Sequence, residues 1–143
     1  MGVLTLEDIL LTPLAHITTP GGDVMHAMKA GDPGYGGFGE AYFSWVDSGA
    51  VKAWKCHTRM TMNLVVPVGC VRFVFALSKN GPFRKVEIGP KAEYARVTVP
   101  PEVWFGFQGL AVTPSLLLNL ASIPHDPAEA KRAVLQEFDF DWS

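Results

Sequence analysis

Cysteine is scarce: Cys56 and Cys70 are the only two among 143 residues. That is too few for a disulfide framework, and the spacing fits no cysteine metal motif, so both are expected as reduced thiols. Charge is scarce as well. Charged residues make up 18% and the net charge is −2, which excludes a broadly basic nucleic-acid surface. The 48% hydrophobic content excludes disorder. No apolar run reaches membrane-spanning length before Pro, Gly or a charge interrupts it. The N-terminal stretch MGVLTLEDILLTPLAH carries acids where a signal peptide needs bases. A soluble, cytoplasmic protein with neither nucleic acid nor membrane as partner is expected.

Helical periodicity is nearly missing too. TLEDILL reads as one short turn capped by Thr5, with Asp8 three residues on. From there the chain is a succession of short β-branched and aromatic segments bounded by Gly, Pro, Asn or Asp, among them GEAYFSWV, MNLVVPV, CVRFVFAL, ARVTVP, VWFGFQGL and SLLLNLASI. Such spacing predicts an all-β barrel or sandwich. HDPAEAKRAVLQEF is the exception, with Asp126 as N-cap, Pro127 at the first helical position and Glu129 completing a capping box. It predicts a short C-terminal helix near residues 127–136. The length suits a single domain over residues 1–143. GDPGYGGFG (31–39) is a glycine-rich loop without the Lys and Ser/Thr of a phosphate loop.

Within VKAWKCHTRMTMNLVVPVG (51–69), Lys55, His57 and Arg59 alternate, so on a continuous strand they share one face. A core excludes such a face, which therefore meets water or a negatively charged ligand. Counting from Gly49 through Lys55, His57 and Met62 to Gly69 gives a spacing that resembles the first cupin motif, where a glycine, two histidines, a glutamate and a glycine stand at those places. The second motif is echoed in PPEVWFGFQG, with Glu102 in place of its glycine and Phe105 in place of its histidine. The resemblance implies an antiparallel jelly-roll (cupin) β-barrel. Of the four metal positions only His57 keeps a ligand, since protonated lysine and phenylalanine offer no lone pair, so no metal is expected.

Four segments, GDVMH (22–26), GAVKAWKCH (49–57), VTVPPEVWFGFQGL (97–110) and LLLNLASIPHDP (116–127), are similar to the epimerases acting at C3 and C5 of dTDP-4-keto-6-deoxyglucose and to the related 3,4-ketoisomerases. Lys52 takes the place of the family's phosphate-binding arginine and Lys55 that of its catalytic histidine. His57 matches the ketoisomerases' second histidine. Asn119 stands where the epimerases have their acid tyrosine, and Asn63 where a lysine is expected. The resemblance implies an isomerase of nucleotide-sugar metabolism without cofactor, and a homodimer in which the segment LTPLAHI pairs with or covers a partner's sheet.

His57 and Lys55 are the candidate catalytic residues, His57 because its ordinary pKa near 6.5 suits a proton shuttle. Lys52, Arg59, Asn63, Trp104, Asn119, Tyr42 and His26 are the candidate substrate contacts. Two alternatives stand beside this reading. One is a non-catalytic cupin that binds a sugar nucleotide or another small acid; the other is a metal-dependent cupin oxygenase with unusual ligands.

Overall fold

The computed structural model describes residues 2–143. Twelve strands carry the chain: β1 Leu10–Pro13, β2 His16–Ile17, β3 Val24–Met25, β4 Glu40–Val46, β5 Val51–His57, β6 Met62–Val68, β7 Val71–Ala76, β8 Phe83–Ile88, β9 Ala95–Val99, β10 Trp104–Gly109, β11 Ser115–Ala121 and β12 Ala130–Arg132. They form one five-stranded sheet in the order β1-β9-β6-β11-β4, a second in the order β12-β5-β10-β7-β8, and the small hairpin β2-β3. All the strand ladders are antiparallel.

Period-2 alternation places the core between the two large sheets. Met62, Leu64 and Val66 from β6 and Ala95, Val97 and Val99 from β9 meet Phe73 and Phe75 from β7 and Phe105 from β10. The outer faces of β7 and β9 are covered as well, so nearly every residue of both strands is buried. On β7 the cover is a second cluster in which Trp54, Val74 and Ala76 pack with Phe138, Phe140 and Trp142, Trp54 stacking on Phe138 at 4.5 Å.

On β9 the cover is the glycine-rich loop. Arg96 is fully buried and donates to the carbonyls of Ala27 (2.8 Å) and Pro33 (2.8 Å) and to Asn63 Oδ1 (3.2 Å). Asn63 Nδ2 in turn donates to the Gly34 carbonyl. A loop with little side-chain mass of its own is thus fixed through its backbone acceptors.

The expected turn near Thr5 forms as a 3₁₀ turn, Leu6–Asp8, with a complete capping box. Both motif glycines, Gly49 (φ 76°) and Gly69 (φ 85°), are left-handed, and so is Glu102 (φ 72°), which stands at the glycine place of the second motif. The expected C-terminal helix does not form. Pro127–Glu129 is a single 3₁₀ turn, Ala130–Arg132 is strand β12, and Leu135–Glu137 is another 3₁₀ turn. Asp126 does cap Pro127–Glu129, accepting from Ala128 N. The free edge of β5 then outcompetes the helix: Ala130 and Arg132 pair with His57 and Lys55, and Trp54 and Ala133 exchange both backbone bonds. β1 pairs with β9 on one side and is the outer strand of its sheet.

Removing a fully buried guanidinium leaves several carbonyls without donors. Arg96→Ala is therefore expected to lose about 2–4 kcal/mol of stability, measured as a shift in the midpoint of urea unfolding.

Candidate active site

The two sheets enclose a cavity of about 440 Å³. Its apolar wall is Leu64, Phe73, Phe105, Phe107 and Leu117; its polar groups are Tyr42, Lys52, Lys55, His57, Asn119 and Arg132. The mixture of an apolar wall and a few convergent polar groups is that of a small-molecule site.

An irregularity in β5 brings the cations together. In the ladder with β10, Phe105 pairs with Lys55 but Gly106 pairs with Ala53, so β5 holds one residue more than its partner. This bulge reverses the alternation, and Lys52, three residues from Lys55, joins it and His57 on the cavity side. Gly106 is required opposite it: a Cβ there would lie 2.5 Å from that of Ala53.

His57 is 5% exposed. Its Nδ1 meets Glu129 Oε1 at 2.7 Å, and its ring lies over Phe105 at 5.8 Å and 16°. Glu129 Oε2 accepts from the backbone N–H groups of Arg59 and Met60, both at 2.9 Å. Burial pushes the Glu129 carboxyl up, but those two backbone donors together with His57 overcome it and bring it down from 4.5 to about 2. The carboxylate is therefore ionised and only accepts, which fixes the proton of the imidazole on Nδ1. Nε2 is left with its lone pair, buried and without a hydrogen-bond partner among the described residues. Burial holds the imidazole below its ordinary 6.5, outweighing Glu129, which favours the cation, while Lys55 and Arg132 add to the lowering. Near neutral pH His57 is an unprotonated base.

On the first sheet Asn119 and Tyr42 are ladder partners, and Asn119 Nδ2 donates to Tyr42 Oη at 3.0 Å. A hydroxyl thus stands beside Asn119 at the cavity wall. Lys52 Nζ bonds to the Trp45 carbonyl at 3.0 Å. Lys55 and Arg132 are opposed across β5 and β12. The first-motif positions Lys55, His57 and Met62 and the second-motif position Phe105 all line the cavity. They carry one imidazole with Nδ1 occupied, one amine, one thioether and one phenyl ring, a set that does not fit a hard metal cation.

Of nine sequence candidates, His57, Lys55, Lys52, Asn119 and Tyr42 line the cavity. Arg59 lies past the end of β5 and pairs with Asp126 at 2.9 Å in solvent. Asn63 faces the loop side of the first sheet, where it meets Gly34. Trp104 belongs to the outer aromatic cluster, with Lys131 over its ring. His26 is tied by its backbone to Ala15 and Tyr94. Sequence reasoning missed Glu129 and Arg132, which local pattern placed on a helix. Only their pairing with β5 shows their role.

A crystal structure of a dTDP-sugar isomerase from Desulfovibrio desulfuricans G20 is 36% identical, covering 95% of this chain and 91% of that one, with a TM-score of 0.89. The chain belongs to the dTDP-sugar isomerase family. The fold is shared more widely. A sugar 3,4-ketoisomerase from Thermoanaerobacterium thermosaccharolyticum, solved in complex with TDP, is 18% identical over 94% of this chain and 95% of that one, with a TM-score of 0.75. The dTDP-4-dehydrorhamnose 3,5-epimerase from Elizabethkingia anophelis NUHP1 is 13% identical over 98% and 84%, with a TM-score of 0.77. No protein-family model and no curated protein matches the sequence.

Nuclear magnetic resonance titration of the His57 ring is expected to give a midpoint below 6.5, and Glu129→Gln to lower it further, because the carboxylate favours the imidazolium. The folded pKa of Glu129 lies below the unfolded value. Its stabilising contribution is therefore complete above about 4.5 and is lost as pH falls from there towards about 2. Glu129→Gln is expected to flatten that limb of the acid denaturation curve.

Proposed function

We propose that this chain is a cytoplasmic isomerase of nucleotide-sugar metabolism, an epimerase or ketoisomerase that transfers a proton next to the ketone of a dTDP-linked 4-keto-6-deoxy sugar. The observation that carries this reading is the unprotonated Nε2 of His57, a buried nitrogen without a hydrogen-bond partner among the described residues on a side chain that lines the cavity, while a buried carboxylate holds Nδ1. Family membership supplies the substrate class. The chain is read as one jelly-roll domain of the cupin kind, its two sheets forming the walls of the site.

The ketone acidifies the hydrogens on its neighbouring carbons, and His57 Nε2 takes one of them. Negative charge then grows on the ketone oxygen, where Lys55 is the available donor. Tyr42 Oη accepts from Asn119 and so keeps its own hydrogen free to be given to the substrate. In this reading the acid stands on β4, one strand away from the position the family resemblance implies. Lys52 and Arg132 supply positive charge for the diphosphate, and Glu129 acts through His57 as a positioning residue.

Proton magnetic resonance of dTDP-4-keto-6-deoxyglucose in deuterium oxide tests the reading. Wild type is expected to exchange a ring proton next to the ketone. His57→Ala is expected to slow exchange on the order of 100- to 10,000-fold, and Tyr42→Phe to slow product formation more than dTDP binding. Binding of dTDP with every ring proton undisturbed would convert the chain into a binding module.

The homodimer belongs to the same proposal. β4 is an edge strand whose Phe43 (63% exposed) and Trp45 (58% exposed) stand in solvent, and an aromatic edge of this kind is suited to a second copy. Light scattering at micromolar concentration is expected to give the mass of two chains, and Trp45→Glu the mass of one.

A further inference from the structure

The cavity is lined by an amine, that of Lys55, with no bonding partner among the described residues. Lys55 is the ladder partner of Arg132 on one side and Phe105 on the other, and side chains opposed in an antiparallel ladder stand abreast on one face. Its Nζ enters none of the ion pairs or side-chain hydrogen bonds of the described residues, whereas Lys52 and Lys131 each find an oxygen. Burial first, and Arg132 second, hold the Lys55 ammonium below the ordinary lysine range, against a weaker upward pull from Glu129. A lysine placed beside another cation and against an aromatic wall is the kind that adds to carbonyls. A base, His57, stands two residues along the same face.

We propose that Lys55 is a covalent nucleophile: its Nζ condenses with the C4 ketone of the bound sugar to form an imine, and the chain epimerises a carbon beside that ketone and does not move the ketone along the ring. The inference rests on the keto-sugar reading of the ligand. In the first step the neutral amine adds to C4, and a proton passes from nitrogen to oxygen to give a carbinolamine. Tyr42 protonates the hydroxyl, water leaves, and the C4–nitrogen double bond forms as an iminium. His57 Nε2 then removes a hydrogen from C3 or C5, and the electron pair flows to nitrogen as an enamine. The water just released gives a proton to the other face of that carbon, inverting it, and the hydroxide so formed takes the proton held on His57, which restores both the base and the water. Water then adds back to C4, Lys55 departs as the free amine, and Tyr42 regains its proton. Nothing is oxidised or reduced overall. The regiochemistry is set by the nitrogen: while C4 is bonded to Lys55, migration of the carbonyl to C3 would leave the sugar attached as a 4-amine. Only epimerisation releases product.

The full-length chain incubated with dTDP-4-keto-6-deoxyglucose and sodium cyanoborohydride is expected to acquire the sugar nucleotide on Lys55 as a secondary amine, located by peptide mass mapping. dTDP-glucose, which has no ketone, is expected to give no adduct. Lys55→Arg keeps the charge but cannot condense. It is expected to lose the adduct and slow ring-proton exchange on the order of 100-fold or more, while dTDP affinity changes less than about threefold. Substrate labelled with oxygen-18 at C4 is expected to lose its label to water faster with wild type than with Lys55→Arg. Ring-proton exchange by wild type without adduct and without catalysed label loss overturns the imine and leaves His57 as an enolising base. An adduct confined to Lys52, or undiminished exchange by Lys55→Arg, overturns it equally. A chain that binds dTDP and exchanges no ring proton removes the isomerase reading and the imine together.

Discussion

One buried carboxylate organises both the sheet edge and the site. Glu129 carries a charge at 3% exposure, which is costly unless every lone pair is used. Its oxygens take two backbone N–H groups from Arg59 and Met60 and the Nδ1 proton of His57, while its own carbonyl accepts from Thr58 N and Oγ1. The residues just past the end of β5 are thereby closed onto the segment that leads into β12. With that turn fixed, Arg132 comes abreast of Lys55, and His57 has one ring orientation and one tautomer. A free base at Nε2 is the consequence.

The bulge in β5 is the second constraint, and it works against ordinary strand economy. A regular strand would direct Lys52 away from the cavity. The extra residue instead directs Lys52, Lys55 and His57 inward and sends Trp54 outward, where Phe138 and Trp142 receive it. Fold and function share this device: the same residue that anchors the C-terminal aromatic segment resets the alternation that gathers the cations. In a chain whose net charge is −2, two lysines and an arginine around one cavity give a local field opposite to that of the whole molecule, suited to an anionic ligand.

The strands were legible because period-2 burial and turn residues leave a plain mark, and the glycine pair at 49 and 69 was legible because left-handed turns demand it. His57, Lys55, Lys52 and Asn119 were found by family likeness and Tyr42 as an aromatic able to contact a ligand, and all five line the cavity. Arg59 was misplaced because alternation was extended past the end of β5. Asn63 and Trp104 lie on strands whose outer faces are also covered, so their burial says nothing about which face they occupy. Glu129 and Arg132 were hidden by a valid local signal: Asp126 and Pro127 do start a helical turn. Whether that turn continues as helix or opens into a strand is decided by the edge of β5, far earlier in the chain, and no local window contains that edge.

Asn119 and Tyr42 share the cavity because of their register. Ladder partners share a face, with side chains only a few ångströms apart, so a hydroxyl on β4 and an amide on β11 reach the same cavity and bond to each other. Lys55 and His57 share a face in the same way, two residues apart on β5. On the proposed reading, a site with an amine and an imidazole side by side activates the ketone and deprotonates beside it, and the nitrogen bound at C4 then decides which products can leave.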